Sequence, residues 1–389
     1  MSRRALFASM AVTATSAATL VATALPAAAA APANEGRDSG RHAVFLQENQ
    51  PSGNTIAVFA RGRDGRLQAV HDYSTGGLGG SLSGAVVDPL ASQGGLTYDA
   101  KNRLLYAVNA GSGTLTVFQV DGLRLTRVQV LDTRGALPVS VSVGNDTVYV
   151  LDAAGDGAIT GFKVVNRKLE QVLGSTRSLG LGNAASPNFL DAPAQVAVTP
   201  NGGAVVVTTK KHNSLVSFTL NHHGFPSATA VVTPSAAPVP FALTFDKAGR
   251  LLVTEASGGE SSYTVNPDAT LSVIASHVPN GQAAACWSVV AQGHVFVANA
   301  GSATITGYNE DAAGGLTLHD ASGVTATTGA GSVDIAATQD GQFLYEEANG
   351  AGEIDEFQVN ADGSLSLLGT VAGLGAVTAG VGAEGLAVS

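Results

Sequence analysis

An aromatic residue recurs along the chain at Phe59, Phe118, Phe162, Phe218, Tyr263, Tyr308 and Phe357. The mean interval is about 50 residues, the length at which single supersecondary units repeat in circular and stacked folds. Each unit reads as an apolar strand, a turn, a second strand ending near Asn, and a third ending in the aromatic. A polar turn and a fourth strand follow. The clearest copies run from Gly95 through Asn109 to Phe118 and from His294 through Asn299 to Tyr308. Apolar and polar residues alternate with period two, as at Leu115, Val117 and Ile305, which suits half-buried antiparallel strands. Asp64-Gly65, Asn201-Gly202, Asp340-Gly341 and Asp362-Gly363 supply tight-turn chemistry between strands.

Seven such units can build a closed ring or an open solenoid, and the two ends distinguish them. The first unit starts at what should be its second strand, His42 to Gln47. The chain ends on a first strand without a blade, Ala383 to Ser389. Pairing that last strand into the first unit explains both and removes an exposed edge. The expected fold is therefore all-β: a seven-bladed β-propeller of four-stranded antiparallel blades over residues 42–389, closed by the C-terminal strand.

Residues 1–30 read as an export signal. Arg3 and Arg4 precede a charge-free stretch that ends in an Ala-rich run around Pro26 to Ala31. The Ser2-Arg3-Arg4 start leaves Sec and twin-arginine routes open. Residues 31–41 read as a flexible lead-in, and the mature protein is expected outside the cytoplasm, in the periplasm or extracellular medium. Removing the two arginines of the leader takes the net charge from −10 to −12. Such a chain repels nucleic acid and anionic membranes, so neither is an expected partner. One cysteine, Cys286, permits no internal disulfide, and it is expected to pack as a small hydrophobe.

The repeats resemble those of the lactonase family, the 6-phosphogluconolactonase-like propellers with YVTN-type repeats. The strongest piece is Gln195 to Ser214, where His212, Asn213 and Ser214 match the end of a family loop and Lys210-Lys211 stand where Arg-Gly is usual. The resemblance implies lactone or carboxylic ester hydrolysis. An Arg and a His at the start of an innermost strand would then polarise the lactone, and a carboxylate or His would activate water. The seven strand starts here begin at Gln93, Pro138, Pro193, Pro240, Ala285, Gly331 and Ala383, and none carries Arg or His.

Ligands of such rings usually sit at the channel mouth, which gathers the second-to-third-strand loops and the inner-strand starts. Asn109, Asp152, Lys210, Lys211, His212, Glu255, Asn299 and Glu347 fall on those loops. Gln93, Gln195, Trp287, Asp334 and Glu384 fall on the inner strands. The Asn and Asp residues are expected to cap loop amides. Lys210-Lys211-His212 is either a solvated loop or a carboxylate or phosphate site with His212 as general base. Glu255 and Glu347 read as surface carboxylates, with a general base or cation ligand as the alternative. His222-His223 lacks a spaced partner for a metal. The glycines of Gly380 to Gly385 precede no helix pattern, so no cofactor is expected.

The leading expectation is a monomeric binding or interaction scaffold for a lactone, carboxylate or sugar-like ligand, or for an extracellular protein. The rivals are a lactonase using His212, Lys211 and Glu255, and a muconate-type cycloisomerase.

Overall fold

The computed structural model of this protein describes residues 42–374 and 381–389. The expected leader and lead-in lie outside them. Among the described residues there is no α-helix, only strands, turns and loops.

The described residues form seven antiparallel sheets, six of which run from centre to rim in chain order. Six of the inner strands are Leu96–Asp99 in blade 2, Pro138–Gly144 in blade 3, Pro193–Val198 in blade 4, Pro240–Phe245 in blade 5, Ala285–Ala291 in blade 6 and Ser332–Ala337 in blade 7. The seventh is Leu386–Val388, which joins His42–Gln47, Thr55–Arg61 and Leu67–Ser74 to complete blade 1. The outer strand is broken in two places. Lys168–Gln171 and Arg177–Ser178 share that role in blade 3, as Leu316–Leu318 and Ala326–Thr327 do in blade 6.

Ring closure is carried by the register Val44 to Val388, Phe45 to Ala387 and Leu46 to Leu386. Backbone bonds extend it at both ends: Gln47 N to Gly385 O at 2.9 Å and Ser389 N to Ala43 O at 2.9 Å. The expected seven-bladed ring and its closing strand are therefore the observed ones.

All seven recurrent aromatics are at most 2% exposed. They are wedges between blades. Phe118 packs with Phe45 and Val58 of the preceding blade, and Tyr263 likewise with Val206 and Leu215 of the blade before it. The tyrosines keep their hydroxyls satisfied, as burial of a phenol requires. Tyr263 Oη accepts from Ala236 N at 2.8 Å and Tyr308 Oη donates to Val278 O at 3.0 Å. In blades 3 to 7 the inner strand shifts register at its first residues. A bulge re-aims one side chain, and Ser140, Gln195, Trp287 and Asp334 stand at or beside these shifts.

Candidate functional site

The connection from Ser74 to Leu96 is far longer than those that join Asp132 to Pro138, Pro234 to Pro240 or Pro279 to Ala285. Its second half, Leu82 to Gln93, is a strap across the channel mouth. Ser83 pairs with Asn188 of another long connection, and Asn349 of blade 7 donates to Val87 O at 3.2 Å. Lys210 Nζ of blade 4 donates to Ala91 O at 2.5 Å. Trp287 Nε1 of blade 6 donates to Ser92 O at 2.8 Å. Glu384, just before the closing strand, accepts from Leu90 N at 2.9 Å. Gln93 reaches across to Ser288, donating to its carbonyl at 3.0 Å and accepting from its amide at 3.2 Å. The strap's peptide groups thus occupy the polar side chains that line the mouth.

Beneath it lies a buried group of charges. Burial pushes the Asp88 carboxyl up to about 6, opposed by the proton it shares with Glu384 and by the Lys210 charge. Burial, then the proximity of Asp88, holds Glu384 well above the usual carboxylate range. Lys210 is driven down to about 8 by burial, with Asp88, Cys286 and Glu384 pulling the other way. Its ammonium also lies 5.2 Å from the Phe241 ring centroid. Burial raises Asp334 to about 7, although its carboxylate accepts from Leu386 N at 2.9 Å and Ile335 N at 2.8 Å. Glu347 is wholly buried, neither of its oxygens has a hydrogen-bond partner among the described residues, and burial places it well above the usual range. Acids outnumber the one cation here, and shared or retained protons relieve the imbalance. From the opposite face the channel remains open as a cavity of about 270 Å³, floored by Gln93, Ser288 and Asp334.

A second set of expected site residues does a different job. Asn109 Oδ1 accepts from Asn54 Nδ2 at 2.9 Å, and its Nδ2 donates to Thr116 Oγ1 at 2.9 Å. Asn299 repeats this with Asn280 and Thr306, each at 2.9 Å for the corresponding bond. Asp152 accepts from Thr133 Oγ1 at 2.7 Å. Each pins the end of a second strand to the preceding blade or to the chain arriving from it: Asn54 lies in a loop of blade 1, and Thr133 and Asn280 lie on the connections. The approach is close: a Cβ on Gly77 would fall 2.4 Å from Asn109 Cγ, and one on Gly135 2.4 Å from Asp152 Cγ. Glu255 holds the corresponding place in blade 5, beside Ser235 Oγ at 3.5 Å and His277 Nδ1 at 3.4 Å, with its carboxyl raised by burial to about 8.

Two expectations need correction. Glu255 and Glu347 are not surface carboxylates, because second-strand ends point between blades rather than outward; both are fully buried. The Lys210-Lys211-His212 run is not one cluster. Lys210 turns inward, Lys211 pairs with Asp191 at 2.8 Å on the surface, and His212 is exposed on a separate rim groove with Leu181 and Val232. The structure brings together Lys210, Glu347, Trp287, Asp334 and Glu384 at the channel. Gln195 lies lower on the inner wall, bonded in both directions to Leu243. Cys286 is buried, as its sequence setting suggests, and burial pushes its thiol far up.

No family model matches this sequence, and no curated protein does. The fold has solved counterparts. A candidate 6-phosphogluconolactonase from Bacteroides fragilis superposes with TM-score 0.67 at 16% identity, over 90% of this chain and 99% of that one. The periplasmic gluconolactonase of Pseudomonas aeruginosa gives 0.65 at 16%, over 90% and 99%. A second Bacteroides candidate, from Bacteroides uniformis, gives 0.66 at 16%, over 85% and 96%. The likeness is one of fold. At this identity the chemistry must be argued from this chain's own residues.

Proposed function

We propose that this chain is an exported binding propeller whose channel mouth is sealed by its own strap, and that it does not hydrolyse lactones there. The observation that carries this reading is the partnering of Lys210, Trp287 and Glu384 with the strap's main chain. These are groups a ligand at the mouth would otherwise meet. The missing Arg and His at the inner-strand starts support it, since a lactone carbonyl needs positioned donors where its charge develops. Export is supported by the Arg3-Arg4 start and the charge-free stretch after it.

The hydrolase reading has one specific support. Lys210, with its pKa lowered, lies among Asp88, Glu384 and Cys286 in a ring whose solved counterparts include a protein named gluconolactonase. A single experiment separates the two. The purified protein is incubated with a panel of sugar and muconate lactones, alongside Lys210→Met and a Lys211→Ala, His212→Ala double variant. We expect no turnover above the uncatalysed rate in any of them. Turnover abolished by Lys210→Met would place catalysis beneath the strap, and turnover abolished by the double variant would place it on the rim. Either result overturns the binding reading.

A further inference from the structure

We propose an oxyanion-binding site at the ring's seam, in the groove between blades 7 and 1 on the face opposite the strap. Its ligand is a small organic anion bearing carboxylate or phosphate. The groove has a volume of about 900 Å³, its cations are Arg61, Arg63 and Arg66, and the His42 ring also lines it. That concentration of positive charge stands out in a chain with 30 acids against 20 bases.

Arg61 is held at the end of its strand, and Arg63 and Arg66 stand exposed after it. They fall on the turn that leaves the strand Thr55–Arg61 and enters Leu67–Ser74, closed by Gly62 N to Arg66 O at 2.8 Å and Gly65 N to Gly62 O at 3.1 Å. The turn is seated on the neighbouring blade. Tyr345 Oη donates to Gly65 O at 2.7 Å, and Gly65 adopts φ +84 with so little room that a Cβ would fall 2.3 Å from the Phe343 ring. The Arg61 guanidinium lies over that ring, 5.5 Å from its centroid, and its buried Nε has no hydrogen-bond partner among the described residues. A guanidinium placed over an aromatic ring, with an unused buried donor, is preorganised for a planar or tetrahedral oxyanion.

Acids share the groove with the arginines. Asp340 lines it within reach of the Arg61 charge and accepts from Thr338 Oγ1 at 2.6 Å and Gln342 N at 3.0 Å, while Glu356 feels the Arg66 charge and accepts from Leu67 N at 2.7 Å. Asp64 touches Arg66 Nε only at 3.8 Å, between two side chains that are mostly in solvent. No ion pair to Arg61 or Arg63 is present among the described residues. The side-chain amides of Gln68 and Gln342 add neutral hydrogen-bonding groups to the wall. The site is independent of the mouth, so it stands whether or not the lactone panel is silent.

A ligand bridging blades 7 and 1 binds the closed ring in preference to the opened one, so its occupancy raises the melting temperature. The test is a thermal-shift titration of the full chain with inorganic phosphate and, separately, citrate, against sodium chloride at matched ionic strength. We expect saturable stabilisation by one or both anions and little by chloride. Arg61→Gln and Arg63→Gln should each weaken the apparent affinity about tenfold or more, the size of a lost charge-assisted contact. Arg124→Gln, an exposed cation on blade 2, should leave it unchanged. Because Arg61 also packs on Phe343, Arg63→Gln is the variant that separates binding from folding. An equal response to chloride, or unaltered anion affinity in Arg63→Gln and Arg61→Gln, would refute the site.

Discussion

Asp152 offers the sharpest test of the clamp geometry. It is 1% exposed, one carboxylate oxygen accepts from Thr133 and the other has no partner among the described residues. Burial lifts its carboxyl from 3.8 to about 7, against the opposing Thr133 bond. That rise of about three pH units disfavours the charged form by about 4 kcal/mol. The folded-state value lies above the unfolded one. The stabilisation is therefore complete below pH 3.8 and is lost as pH rises through about 7. Between pH 5 and pH 8 the loss from this one group is about 2–3 kcal/mol. Asn cannot ionise, and the repeat itself places Asn109 and Asn299 at the same position in blades 2 and 6. Asp152→Asn should therefore stabilise by about 2–3 kcal/mol more at pH 8 than at pH 5. For a ring of about 350 ordered residues, the unfolding entropy converts the difference into about 3–4 °C of melting temperature. The assay is a pair of reversible melts of wild type and variant at the two pH values. An equal change at both, or a less favourable one at pH 8, would refute the argument that a buried, partly unpartnered carboxylate occupies this clamp.

Other consequences follow from the same interior. Asp88 at about 6, Asp334 at about 7 and Glu255 at about 8 are all raised by burial, so wild-type stability should decline as pH climbs from 5 to 8; a flat denaturant midpoint across that range would contradict it. Lys210 adds no slope until about pH 8, because it stays protonated in both states below that. Deleting residues 382–389 removes the closing strand and the Glu384 contacts, and should leave a protein that melts far lower or does not fold; a truncated chain with the full-length melting curve would disprove ring closure by that strand. Gly77→Ala drives a Cβ into Asn109 and should cost about 1–3 kcal/mol. Gly53→Ala, with nothing within 4 Å of its new Cβ, serves as the control for chain stiffening in the same denaturation series.

The ring was legible in the sequence because its determinants are periodic. The seven aromatics, the alternation at Leu115 and Val117, and the unmatched half-blades at His42 and Ala383 each state a geometric requirement that only pairing satisfies. The site was legible only where it shares that period, as at Asn109 and Asn299. Lys210 and Lys211 show the limit. They are adjacent and chemically alike, yet one donates to a buried carbonyl while the other pairs with Asp191 in solvent, because the strand has ended at Thr209 and the turn that follows sends the two side chains different ways. Glu347 reads like any carboxylate until the blade behind it is in place. The strap escaped notice for a different reason. It makes its case through main-chain groups, which every residue carries, so no side-chain motif marks Leu90, Ala91 or Ser92 as partners of Glu384, Lys210 and Trp287. Its trace in the sequence is length alone, a connection some four times longer than its neighbours. Excess chain of that size in a compact ring needs a place to bury its peptide groups. In a propeller the inner-strand starts and long connections converge on the channel mouth, so the missing catalytic pattern and the long connection are two views of one event: the mouth has taken its own backbone as occupant.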